Sequence, residues 1–177
     1  MGLIDFVKNV GHKLDLGLHN QQHPQAPAQA QPQAAQGPSQ QQVAQLQEKQ
    51  KETALANLVN QMGFHVQDLF IDVEGDKVTV KGKVNSQEEK EKIVLLLGNS
   101  EGIGSVDDQL QVANPEPAAQ YYDLKPGDNL SKIAKQVYGD ANKYHLIFEA
   151  NRPMLKNPDA IFPGQKLRIP AAAAVHA

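Results

Sequence analysis

Gly98-Asn99-Ser100-Glu101-Gly102-Ile103-Gly104-Ser105-Val106-Asp107-Asp108 joins an apolar run, Ile93 to Leu97, to a segment that alternates through Val106, Leu110 and Val112. An apolar run closed by glycine predicts a helix and its stop, and alternation predicts a strand. Glycines at 98, 102 and 104 open backbone conformations that a Cβ forbids. The last carbonyls of the helix lack intrahelical donors and carry the negative end of its dipole. A bent run of main-chain oxygens here can therefore converge on a weakly hydrated monovalent cation. A plain helix cap followed by a loop accounts for the same residues. The local sequence leaves both readings open.

Before this stretch, Ser86 and Glu89 have the spacing of a capping box at the start of the helix. Leu69, Ile71 and Val73 alternate with polar residues, as do Val78, Val80 and Gly82, and Glu74-Gly75-Asp76-Lys77 between them is a hairpin signal. Leu55, Leu58, Val59 and Met62 recur at helical spacing before Gly63. The predicted order over 43–113 is α-β-β-α-β, one sheet face covered by two helices. Such a core is only just large enough to stand alone. Docking of a further element would help it.

That element is expected at the N-terminus. Leu3, Phe6, Val7, Val10 and Leu14 fit the apolar face of a short helix within 1–19, with Gly11 as a stop that leaves the carbonyls around Val7 and Val10 without intrahelical partners. So short a helix is marginal in water unless it docks. Simple packing on the next domain explains it without any ligand. Residues 20–42 are rich in Gln, Ala and Pro and hold no Asp, Glu, Lys or Arg, which predicts a disordered tether. Its ends would lie roughly 25–30 Å apart as a flexible chain.

Asn114-Pro115-Glu116-Pro117 marks a hinge, 114–120. Beyond it, Tyr122 to Leu130 predicts a strand, a tight turn and a helix start capped by Asn129, with Ile133, Ala134 and Val137 on the buried face. A second helix carries Tyr144, Ile147 and Phe148. Ile161 to Pro170 turns back into a strand, and 171–177 is expected to be a frayed tail. Tyr138, Tyr144, Phe148 and Phe162 have the spacing of core aromatics, although sugar platforms also use such rings.

Composition excludes several functions. The 177 residues carry a formal net charge of −3, so there is no basic footprint for nucleic acid. No cysteine is present, which removes disulfides, thiol catalysis and cysteine-bound zinc. Asp5 and Lys8 interrupt the N-terminal apolar residues and leave no continuous export-signal core. No apolar run is long enough to span a bilayer. His12, His19, His23, His65 and His145 have neither metal-ligand spacing nor a paired nucleophile, and His176 falls in the tail. Asp107 and Asp108 are adjacent in a strand and point to opposite faces, so they cannot easily chelate one ion; they are expected to be solvated. A cytoplasmic, monomeric protein without catalytic activity is the expectation.

Three resemblances sharpen this. The order of elements, Val78-Thr79-Val80-Lys81-Gly82 and Gly102-Ile103-Gly104-Ser105-Val106-Asp107-Asp108 resemble a BON domain. Pro126-Gly127-Asp128-Asn129-Leu130 and Pro163-Gly164-Gln165-Lys166-Leu167-Arg168-Ile169-Pro170 resemble the opening and close of a LysM domain over 121–170, with Asn129 where that family usually has Thr or Ser. The combination, with a short amphipathic start, is similar to the cytosolic bacterial potassium-binding family. The fold implied is α+β: a small αββαβ BON domain, then a βααβ LysM domain. The family implies a K+ site in the BON domain, with a conformational response passed to the LysM domain, and by position its backbone-carbonyl ligands would be Val7, Val10, Gly98, Ser100 and Ile103. Neutral carbonyls suit potassium, whereas calcium and magnesium favour carboxylates. LysM resemblance implies, alternatively, a peptidoglycan partner and an N-acetylglucosamine groove at Gly127, Asp128, Asn129 and Leu130, with Ile161 opposite.

Overall fold

A computed structural model describes residues 2–6 and 40–171. Val7, Val10, His12, His19, His23 and His176, with most of the expected tether and tail, lie outside the described residues.

Alternating apolar residues on three strands create the first sheet. β2 (Gln67–Glu74) and β3 (Lys77–Ser86) form an antiparallel hairpin, closed by Gly75 at a positive φ of 63°, a backbone state that suits glycine. Helix α2 (Gln87–Gly98) then carries the chain across to β4 (Ser105–Asn114), which lies parallel to β3. Ile71, Val73, Val78, Val80, Val106 and Leu110 turn inward. Helix α1 (Gln40–Gln61) covers this face beside α2, through Leu55 and Val59. With β1 (Gly2–Asp5) at one edge, the sheet order is β1-β4-β3-β2.

The outermost strand is a correction. Residues Gly2–Asp5, read as the start of an amphipathic helix, form β1, antiparallel to β4 with Ile4 opposite Val106. A strand's period is two, so Ile4 and Phe6 face inward while Leu3 is 59 % exposed. Helical spacing put Leu3 and Phe6 on one side. The open edge of β4 offers a ladder of main-chain partners that a short isolated helix cannot match. Docking of the N-terminus holds, in extended form.

Two smaller corrections concern α1 and α3. Helix α1 begins at Gln40, so the last residues of the expected 20–42 tether are helical; Gln, Lys, Glu and Ala are good helix formers even without an apolar stripe. In the second domain, β5 (Gln120–Asp123) pairs antiparallel with β6 (Lys166–Ile169), and α3 (Leu130–Tyr138) and α4 (Tyr144–Ala150) lie between them in sequence. Leu130, Ile133 and Ala134 are buried, but Val137 is 39 % exposed. Its neighbour Tyr138 turns inward instead and donates its hydroxyl to the Pro170 carbonyl at 2.7 Å. Phe148 also packs on the core, whereas Tyr144 is exposed.

Helix α2 explains how the domains join. Sequence spacing buries Ile93, Leu96 and Leu97, yet Glu91 and every residue from Ile93 to Gly98 are buried. A helix buried all round needs neighbours on all sides. One face meets the sheet, and the other meets β6. Glu91, 2 % exposed, accepts from Arg168 Nε at 2.6 Å, from Gln87 Nε2 at 2.9 Å and from the Ala119 amide at 2.9 Å. One carboxylate thus ties α2, the hinge and β6 together. Removing one member of a buried ion pair strands the other charge. Glu91→Ala is expected to lower unfolding free energy by about 3 kcal/mol, measured by denaturant titration in far-UV circular dichroism; a loss below about 0.5 kcal/mol would class the pair with idle surface bridges.

Tyr121 on β5 packs against the first domain's core. Burial, then the nearby carboxylates Glu91 and Asp108, raise its phenol above the ordinary tyrosine value. The folded state therefore holds this proton more tightly than the unfolded chain does. The associated stability is complete below the unfolded value, about pH 10, and falls as pH rises through the folded one. Tyr121→Phe should flatten the alkaline decline in unfolding free energy; an unchanged slope would detach Tyr121 from it.

Candidate functional site: the loop after α2

The cap of α2 is built as the sequence suggests, with one difference. Ser86 Oγ accepts from the Glu89 amide at 3.1 Å. Glu89 returns its carboxylate to the amides of Asn85 and His65, at 3.3 and 3.1 Å, rather than to Ser86, so the box also ties down the exposed connection before β2. At the other end, the orphan carbonyls are largely consumed. Leu95 O accepts from the Asn99 amide (2.9 Å), Leu97 O from the Ser100 amide (3.1 Å) and Leu96 O from Ser100 Oγ (2.8 Å).

Gly98, Ser100 and Ile103 are brought together. All three are buried, and the Ile103 amide points at Ser100 O across 3.4 Å, a long hydrogen bond. The loop is fastened to the hairpin turn by Asp76, whose carbonyl accepts from the amides of Gly104 (2.8 Å) and Ser105 (3.3 Å).

The glycines do different jobs from those expected. Only Gly102 has a positive φ, 75°. Gly98 and Gly104 supply room: a Cβ on Gly98 would overlap the Phe6 ring, and one on Gly104 would sit 2.5 Å from Asp76 Oδ2. The Phe6 ring therefore lies flat against the end of α2, and the Phe6 amide donates to Gly104 O at 2.7 Å. The N-terminal segment reaches the loop from its far side, just before Val7. Phe6 escaped the sequence reading as a site residue because nothing near it marks Gly98 as its seat.

Asp107 and Asp108 point to opposite faces, as alternation requires. They are not simply solvated. Asp108 is buried, pairs with Lys90 at 3.0 Å and accepts from the Leu110 amide at 3.0 Å. Asp107 lies 3.9 Å from Lys77 and accepts from Gln109 at 3.1 Å. Among the described residues no three His, Cys, Asp or Glu side chains gather as a metal site.

The second expected site uses its residues for folding. Asp128 accepts from the Lys125 amide (2.9 Å) and the Tyr122 hydroxyl (3.0 Å), Asn129 caps α3 through the Lys132 amide (2.8 Å), and Leu130 is buried. Gly127 takes φ 85° and its carbonyl accepts from Lys132 Nζ at 2.8 Å. Ile161 is half-buried against the core.

Comparison with known proteins agrees with this architecture. The BON domain model matches residues 47–114 and the LysM domain model 122–170. Over 175 residues the chain is 44 % identical to the potassium binding protein Kbp of Escherichia coli O6:H1, covering 96 % of this chain and 99 % of that protein. The chain belongs to the Kbp family. An uncharacterized protein of Deinococcus radiodurans is 39 % identical over 113 residues, 56 % of this chain and 44 % of its own length. The uncharacterized protein YqbP of Bacillus subtilis is 39 % identical over 62 residues, 30 % of this chain and 28 % of its own. The Kbp likeness covers nearly the whole chain.

Gly98→Ala tests the seat. Alanine is better than glycine in a helix by about 1 kcal/mol, so only the ring opposes it. Gly98→Ala should cost about 1–3 kcal/mol through overpacking and speed hydrogen exchange at the Phe6 amide. In a Phe6→Ala background it should be neutral or stabilising. A cost that persists without the ring would refute the seat.

Proposed function

We propose that this protein binds a potassium ion through main-chain carbonyls and closes up on binding. The ligands of this reading are Gly98, Ser100 and Ile103 from the loop, with Val7 and Val10, which lie outside the described residues. The observation that carries it is the near-complete alignment with a protein named for binding potassium. The loop geometry supports it. Gly98, Ser100 and Ile103 are buried at the C-terminal, electronegative end of α2, and the chain leading to Val7 is seated there by Phe6. Neutral oxygens in a confined, water-poor loop replace the hydration of potassium, without the carboxylates that calcium or magnesium would favour.

Binding favours whichever conformation gathers the ligands, so the ion shifts the population toward the closed arrangement by its differential affinity. In this reading the protein is a cytoplasmic monomer that senses or buffers potassium and performs no catalysis. The LysM match favours a second reading, recognition of peptidoglycan or N-acetylglucosamine polymers at Gly127, Asp128, Asn129, Leu130 and Ile161.

Calorimetric titration of dialysed protein with potassium, sodium and calcium chlorides, with small-angle scattering across the same series, tests the first reading. Potassium alone should give saturable heat and a smaller radius of gyration, and deletion of residues 2–11 should abolish both. Identical behaviour in all three salts would end the potassium reading. Binding to murein under the same conditions would promote the second.

A further inference from the structure

The side chain of Asn99 lies between two of the proposed carbonyl ligands in sequence, yet it turns away from the first domain. It is 4 % exposed. Its Nδ2 donates to the Lys166 carbonyl at 2.9 Å, and its Oδ1 accepts from the Lys166 amide at 3.1 Å. A carboxamide offers one donor group and one acceptor, as a peptide does, so Asn99 occupies the edge of β6 as one unit of an extra strand would. Asn151 does the same two residues along, with Arg168 O and N each at 2.8 Å. Residues Lys166 and Arg168 alternate with Leu167 and Ile169, which are buried. The second domain fills one place on this edge from within; the ion loop fills the other.

Lys166 also reaches the N-terminal segment. Its ammonium stands 5.6 Å from the centre of the Phe6 ring and 2.7 Å from Asp123, a cation–π distance. One residue of β6 therefore touches the loop through its main chain and the ring seated on Gly98 through its side chain.

We propose that Asn99 is a positioning residue for the ion loop: its clamp on the Lys166 main chain makes the second domain hold Gly98 and Ser100 in their ion-binding arrangement. The inference rests on the potassium reading above. Asn99 supplies no ligand itself. Linkage makes the effect reciprocal: if the clamp strengthens ion binding, the ion strengthens the clamp. The Lys166 amide, whose proton lies in the clamp, is the reporter.

The test uses the full chain. In the unaltered protein, hydrogen exchange at the Lys166 amide should slow as potassium chloride is added, with the midpoint found by calorimetry, and sodium chloride should have no effect. Asn99→Ala should weaken potassium binding about tenfold, within the usual span of coupling between sites, and remove the potassium dependence at Lys166. Asn151→Ala removes the clamp on Arg168 but leaves the loop its own pair of hydrogen bonds to Lys166; it should lower thermal stability and weaken potassium binding less than Asn99→Ala does. If the unaltered protein binds potassium while Lys166 exchange stays constant, the proposal falls and the potassium reading stands. Equal affinity in folded Asn99→Ala has the same meaning. If the unaltered protein binds no potassium, the reading fails first. Should Asn99→Ala not fold, exchange in the unaltered protein decides alone.

Discussion

A twelve-residue helix whose second half has no solvent side, Gln87–Gly98, imposes the main constraint on this protein. Such a helix cannot carry a charge unless something answers it, and Glu91 is answered from three directions at once: its own helix, the hinge and the last strand of the second domain. The two domains are consequently not beads on a string. Each completes the burial of a helix that belongs nominally to the first. The loop that follows inherits a fixed starting point, because the cap consumes the carbonyls of Leu95, Leu96 and Leu97 and directs the chain beyond them.

The loop's surroundings come from three distant parts of the sequence. Phe6 arrives from the N-terminal strand, Asp76 from the hairpin turn and Lys166 from the final strand. Each contact is made through main chain or through an aromatic face, so none of them leaves a sequence signature of the kind a metal-ligand spacing leaves. These surroundings are assembled by topology, and they depend on the backbone path, the space under Phe6 and the Asn99 carboxamide.

That explains what could be read in advance. Alternation around Val78 and Val80, the Ser86–Glu89 pair and the Gly75 turn carry their geometry locally, so the hairpin, α2 and the parallel strand after it follow from the residues themselves. The end of α2 and the loop after it are legible because glycines cluster there. The role of each glycine is not: space for Phe6 at Gly98 depends on a ring more than ninety positions away. β1 was misread as helix because Leu3 and Phe6 satisfy a period of 3.6 over too few residues, and the deciding partner is the edge of β4. Helical spacing does not single out Leu95, which lies beside Asn151 and Met154 of the second domain, and it puts Val137 inside, where Tyr138 takes that role through Pro170. Asp108 was expected in water since its partner Lys90 sits on another element.

Helix α1 does more than cover the core. Glu52 accepts from the Val73 amide at 3.3 Å and Glu48 from the Gly75 amide at 3.1 Å, so carboxylates lie along the border of β2. At the opposite border the sheet ends in a strand of only four residues. Bare sheet margins recruit strands from neighbouring molecules, and short or acid-lined margins discourage it. A chain with margins of this kind can reach high local abundance without joining strand to strand across molecules.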